Sequence, residues 1–204
     1  MNLFFRWLFV LCFLGLGYPA FSQRAEDHYN AGTSYGLKEE YGPAIAEFSK
    51  ALGLKPDYEE ALYSRGLCYL RTRKYKQAIQ DFSIILKQNQ QHSNALKFRG
   101  QAKFALGDFN GALADIEDAL LLKPTDPQLF FFKGQTNYAM GSYGQAIEDY
   151  NTCIRLDPEN QQVFYKRGIV NYIAGYRDAA CKDLEKSAAL GNQEAYDIIR
   201  LYCR

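Results

Sequence analysis

Residues 59–92 read EEALYSRGLCYLRTRKYKQAIQDFSIILKQNQQH, and two helical blocks lie inside that stretch. Leu62, Tyr63, Gly66, Tyr69 and Leu70 recur at the spacing of one amphipathic helix, and Tyr75, Ala78, Ile79, Phe82 and Leu86 do so for a second. The pattern is written five times. Gly32, Gly66, Gly100, Gly134 and Gly168 stand 34 residues apart, as do Ala44, Ala78, Ala112, Ala146 and Ala180. Aromatic Tyr41, Tyr75, Phe109 and Tyr143 share the period, and so do bulky Phe48, Phe82, Ile116, Tyr150 and Leu184. The units are 25–58, 59–92, 93–126, 127–160 and 161–194. Glycine and alanine fall where the two helices of a hairpin would cross, because a minimal side chain lets two backbones approach closely. Pro56, Pro124 and Pro158 mark the ends of second helices, since proline cannot continue a helix interior.

On these residues the units resemble tetratricopeptide repeats, over residues 25 to 194. Arg65-Gly66, Arg99-Gly100, Lys133-Gly134 and Arg167-Gly168 stand at the family's Leu-Gly place, with the glycine kept and the leucine replaced. Position four, often Trp in the family, is His28, Leu62, Leu96, Phe130 and Phe164. The resemblance implies an all-α, right-handed α-solenoid of five helical hairpins closed by a capping helix over 193–203. Ala195, Ile198, Ile199 and Tyr202 form the inner side of that cap, with Glu194, Asp197 and Arg200 toward water. Two irregularities stand out. The second unit ends Asn89-Gln90-Gln91 without proline, and the fifth carries its aromatic, Tyr176, one residue early, which predicts a tightened fifth turn.

The amino terminus reads as an address. Arg6 gives a positive start, Trp7 to Leu16 is an unbroken apolar run, and Ala20-Phe21-Ser22 places small residues before the Ser22–Gln23 bond. Gly17, Tyr18 and Pro19 are expected to break the signal's helix. The apolar stretch falls short of the roughly 20 residues that a spanning helix needs, so the expectation is a cleaved signal peptide over 1–22 and a repeat domain over 23–204. The protein is then exported to the periplasm or beyond, without membrane insertion after cleavage. Only Gln23 and Arg24 precede the first helix in that case, which leaves the first repeat's outer face uncovered. This signal and the ending from Cys181 to Ala195 resemble those of exported repeat proteins from Bacteroidota-like bacteria.

Composition narrows the function. The 204 residues include 24 basic and 23 acidic side chains, and Arg6 is the only charge before Gln23. The remainder is formally neutral, which argues against a general grip on phosphate backbones or anionic membranes. No HExxH, GxSxG, GxxxxGK or GxGxxG pattern occurs. His28 and His92 have no local partners that suggest a triad or a metal site, and His28 reads as a packed residue where other units carry Leu or Phe. The basic run from Arg71 to Lys76 reads as a solvated turn. No enzyme activity, metal or cofactor is expected.

Four cysteines follow residue 22. Cys181 and Cys203 are equidistant from Asn192, so an antiparallel pair of helices turning there would bring them face to face. A disulfide between them suits an oxidising compartment and would contribute about 3 kcal/mol by closing the loop. The alternative is two independent buried thiols. Cys68 and Cys153 fall where other units carry small residues and read as core fillers.

The family resemblance also implies a concave groove lined by the first helix of each unit. It assigns Tyr29, Tyr63, Lys97, Phe131 and Tyr165 to one stripe, and Thr33, Leu67, Gln101, Gln135 and Ile169 to a second, one turn further along. Such a groove would hold a protein or peptide segment through aromatic area and a few hydrogen bonds. Members that clamp a terminal carboxylate place Lys and Asn on these stripes, and Tyr29, Thr33, Tyr63 and Leu67 argue against that clamp here. Two other readings stay open: the aromatics pack between repeats, or the chain is a subunit of a bacterial envelope complex that uses its outer surface or first repeat.

Overall fold

The computed structural model describes residues 18–203, with side chains from residue 23 onward. The described residues are all-helical, in eleven helices. In chain order these are α1 (Tyr18–Leu37), α2 (Tyr41–Leu54), α3 (Glu59–Arg71), α4 (Tyr75–Gln88), α5 (Ser93–Ala105) and α6 (Phe109–Leu122). There follow α7 (Pro127–Ala139), α8 (Tyr143–Leu156), α9 (Gln161–Ile173), α10 (Arg177–Ala189) and α11 (Gln193–Tyr202). The described backbone forms two compact units, divided inside α5 between Ala102 and Lys103.

In each unit the buried side chains are the periodic ones. Phe48, Leu62, Phe82 and Ile85 are shut from solvent in the first unit, and Ile116, Leu129, Tyr150, Val163 and Leu184 in the second. The glycines explain why the helices come so close. A Cβ built on Gly32 would lie 2.7 Å from the Phe48 ring, one on Gly66 2.8 Å from Phe82, and one on Gly134 2.6 Å from Tyr150. Gly168 faces the smaller Leu184, and there the distance is 3.1 Å. Each of these four hairpins therefore sets the glycine of its first helix against a large side chain sixteen residues later, in space that a β-carbon would take.

The turns between paired helices keep one length. Each places a left-handed residue at the same register: Gly107, Gly141 and Gly175, but Glu39 at φ 61° and Arg73 at φ 57°. The fifth turn is not tightened. The Gly175 and Tyr176 amides donate to Tyr172 O and Asn171 O, as the Gly141 and Ser142 amides do to Tyr138 O and Asn137 O. Arg177 starts α10 in register with Tyr143, so Tyr176 takes the N-cap place of Ser142 and stays exposed. The junction without proline also keeps its length. There Asn89 Oδ1 accepts from the Gln91 amide, and His92 Nδ1 accepts from the Ala95 amide at 3.0 Å and caps α5. Elsewhere Asp108, Asp126, Asn160 and Asn192 cap their helices through side-chain oxygens.

Of the expected signal peptide over 1–22, residues 1–17 lie outside the described residues. Tyr18 and Pro19 are helical, where a break was expected, and the Ser22–Gln23 bond falls inside α1. The exposed residues of α1 include polar Gln23, Glu26, Asp27, Asn30 and Ser34, and among the described residues nothing covers them. At the other end Ala195 is buried, and Ile198 and Ile199 pack on Leu184 and Ala188. Tyr202 remains 53% exposed, with its ring 5.1 Å from Tyr172. Cys181 and Cys203 form a disulfide with Cα atoms 5.6 Å apart, tying α11 to α10.

Glycine-to-alanine changes separate close approach from helix propensity, because propensity alone favours alanine by about 1 kcal/mol at any helical site. Within one hairpin, Gly134→Ala is expected to lower stability by about 1–2 kcal/mol, since its methyl meets the Tyr150 ring. Gly144→Ala, whose methyl would meet nothing within 4 Å, is expected to be neutral or stabilising. Denaturant melts of the two variants check this, and equal tolerance would contradict the packing account.

Candidate functional site

One residue before each of the second to fifth glycines stands a cation, and the structure gives it a task that the sequence reading missed. In the first unit Arg65 grips Asp81 with two bonds, at 2.9 and 2.7 Å, and reaches Ser49 Oγ at 3.0 Å. Arg99 donates to Ser83 Oγ at 3.4 Å. In the second unit Lys133 lies between Glu117 at 3.4 Å and Asp149 at 3.9 Å. Arg167 holds Asp183 through two bonds and reaches Asn151. Each of these bases sits sixteen residues from its partners, as Gly66 does from Phe82, Gly134 from Tyr150 and Gly168 from Leu184. The aspartates are buried, and two carry a further bond, from Asn137 to Asp149 at 2.7 Å and from Asn171 to Asp183 at 2.9 Å. In the first repeat Ala31 takes the cation's place, and Glu47 instead binds His28 Nδ1 and Lys50 Nζ, each at 2.6 Å. His28 is thus paired with a carboxylate rather than simply packed.

This ladder holds helices in register. Burial keeps the Asp81 and Asp149 carboxyls above their ordinary range, against the pull of Arg65 on the first and of Asn137 and Lys133 on the second. The thiols are filler: burial raises Cys68 and pushes Cys153 up to about 11, and Cys153 Sγ donates to Pro127 O at 3.1 Å. Among the described residues no three metal-ligating side chains gather, and no helix is long and apolar enough to cross a membrane.

The aromatic stripe is half-buried and engaged in ring contacts. Tyr29 lies 5.8 Å from Phe48 and 5.2 Å from Tyr58, measured between ring centroids. Tyr63 meets Phe82, His92 and Phe98 at 5.7–6.1 Å. Phe131 lies 6.0 Å from Tyr150, and Tyr165 packs on the Leu184, Ala188 and Ala195 cluster. The Lys97 ammonium stands 5.0 Å over the Phe98 ring. Gln101, Gln135 and Ile169 are half-buried.

Thr33 and Leu67 are brought together. They line an open pocket of about 330 Å³ in the first unit, with Gly36 and Leu37 of α1, Tyr41 and Phe48 of α2, and Ser64, Cys68 and Arg71 of α3. Phe48 and Cys68 form a buried apolar floor, whereas Leu37 is 83% exposed at the rim. Thr33 Oγ1 is already committed to Tyr29 O. A shallow apolar depression with a hydroxyl and a guanidinium at its edge suits a side chain of another polypeptide better than it suits chemistry on a small substrate. Gly36 and Leu37 lie one turn beyond Thr33 and were invisible as site residues, because nothing in a helical pattern says that a late position on α1 stays uncovered.

Known proteins agree with this architecture. A family model described as TPR repeat matches residues 134–175, and one described as Anaphase-promoting complex, cyclosome, subunit 3 matches residues 37–119. No curated protein matches the chain. Among solved structures, the crystal structure of MamA aligns with a TM-score of 0.74 at 22% identity, over 81% of this chain and 96% of that one. MamA from Desulfovibrio magneticus RS-1 gives 0.78 at 19% identity, over 82% and 94%. YrrB, described as a TPR protein with an unusual peptide-binding site, gives 0.71 at 22% identity, over 86% and 95%. The chain thus has the fold of a tetratricopeptide-repeat protein, an α-solenoid of helical hairpins.

The ladder's electrostatics can be read by titration. A carboxyl whose folded pKa is raised adds stability that is fully present below its unfolded pKa and is lost as pH rises through the folded one. Asp149→Asn keeps an acceptor for Asn137 and removes the titration. The stability gap between the native protein and this variant is expected to be wider at about pH 4 than at about pH 7. A gap that is widest at neutral pH would show that pairing, not burial, dominates at Asp149.

Proposed function

We propose that the protein is a non-catalytic scaffold that binds peptide or protein segments on the first helices of its repeats. The observation that carries this reading is the pocket floored by Phe48 and Cys68, with Leu37 left in water above it. An exposed leucine beside an apolar depression offers a contiguous apolar surface to a partner, which a lone exposed leucine would not. The stripes from Tyr29 to Tyr165 and from Thr33 to Ile169 enter the proposal unequally. Thr33 and Leu67 belong to the contact surface, while Tyr29, Tyr63, Phe131 and Tyr165 chiefly support it from below. The fold resemblance to a protein described as having a peptide-binding site is compatible with this reading.

Export belongs to the proposal as well. The apolar run before Gln23 and the Cys181–Cys203 bridge both suit an oxidising compartment outside the cytoplasm. Assembly into an envelope complex is the second reading, and it draws on the exposed Tyr196, Leu201 and Tyr202 of α11. The polar exposed residues of α1 give it no support at the first repeat.

A random-peptide library panned against the purified protein, followed by calorimetry on the recovered peptides, tests the binding reading. Saturable binding is expected, weakened about tenfold by Leu37→Ser, which removes one apolar contact and leaves the core untouched. Absence of saturable binding, or peptides indifferent to Leu37→Ser, would contradict it.

A further inference from the structure

A cation stands at the edge of the same pocket, and three more follow it in the sequence. Arg71 lines it from the end of α3, and Arg73, Lys74 and Lys76 follow at once on the turn and the start of α4, all exposed. None of the four forms an ion pair among the described residues, whereas Arg65 on the same helix is held by Asp81 and Ser49. The preceding turn carries Lys38 beside Glu39 and Glu40, so the segments 38–40 and 71–76 together hold five cations and two carboxylates. Ser64 offers a hydroxyl on the pocket wall.

We propose that the pocket takes an acidic peptide segment, in which an apolar side chain enters between α1 and α3 and a neighbouring carboxylate pairs with Arg71, backed by Arg73 and Lys74. The inference rests on the peptide-binding reading above and adds to it the anchor and the sign of charge. Two features of the site select this occupant together. The floor of Phe48, Leu67 and Cys68 is apolar, and burial keeps the Cys68 thiol neutral, so a bare phosphate or nucleic-acid backbone would leave it unfilled. The guanidinium at the mouth is suited to a two-point bond with a carboxylate, and it disfavours a basic segment by like-charge repulsion.

Short synthetic peptides of equal length test this by calorimetry: a leucine flanked by Asp and Glu, the same leucine flanked by Lys, and the acidic sequence with serine for leucine. The acidic leucine peptide is expected to bind at least about tenfold tighter than either partner, with its advantage over the lysine peptide shrinking at about 0.5 M salt. Gly36→Leu plugs the pocket, since a Cβ at Gly36 meets nothing within 4 Å, and it is expected to abolish binding with the melting midpoint unchanged. Arg71→Gln with Arg73→Gln is expected to erase the charge preference, and because these sites are exposed it keeps the test alive should the plugged variant fail to fold.

Equal or tighter binding of the lysine peptide, still lost in Gly36→Leu, would overturn this proposal and leave the peptide-binding reading standing. So would a dimer of the protein that Gly36→Leu dissolves, because the occupant would then be a second copy. Absence of binding by every peptide would remove both.

Discussion

A glycine on the first helix of a hairpin faces a large side chain sixteen residues later, and the remaining structure is arranged around that contact. With Gly66 on Phe82 and Gly134 on Tyr150, the ring occupies the volume where a β-carbon would stand. The helices approach until backbone meets ring, which fixes their separation. The same approach places the neighbouring side chains. Arg65 is one residue before Gly66, and Asp81 one before Phe82, so the crossing that makes the apolar contact also brings a guanidinium onto a buried carboxylate. Where the ring shrinks to Leu184, the steric demand on Gly168 relaxes, while Arg167 still holds Asp183. Packing and charge pairing are thus two readings of one helix–helix register.

The ion pairs are register devices more than sources of stability. A buried pair gives back much of what its desolvation costs, and burial raises the Asp81 and Asp149 carboxyls against the pull of their partners. Breaking one leaves an uncompensated group, which penalises any slip of one hairpin against the next. Ser49 and Asn151 extend the same arginines to the preceding hairpin of their unit, so the arrangement passes from repeat to repeat. Only the first repeat lacks the cation, and there His28 and Lys50 serve Glu47 in its place.

Much of the fold was legible in residue spacing. The period of 34, the hairpin in each unit, the capping helix and the pairing of Cys181 with Cys203 all follow from where glycine, alanine, bulky residues and cysteine stand. Three things were hidden. Tyr176 suggested a shorter turn, but backbone hydrogen bonding at Gly175 sets the turn length and an aromatic at the N-cap is tolerated in water. The ladder was missed because Asp81, Asp149 and Asp183 look like solvated helix residues until their neighbours close over them, although their spacing by multiples of 34 was in view. The pocket rim was missed because exposure of Leu37 depends on which side chains fail to cover it, and spacing along one helix does not report that. The groove stripes divided for the same reason: Tyr63 and Phe131 have ring partners on neighbouring helices, whereas Leu67 opens onto the pocket.

The central claim is that the glycine and the ring sixteen residues on are energetically one unit. A double-mutant cycle on Gly66→Ala and Phe82→Leu, read by denaturant unfolding, tests it most directly. Each single change is expected to destabilise, and the pair is expected to cost less than the sum by about 1 kcal/mol or more, because the smaller side chain makes room for the methyl. Additivity within about 0.5 kcal/mol would mean that the two positions do not meet as described and would contradict the account.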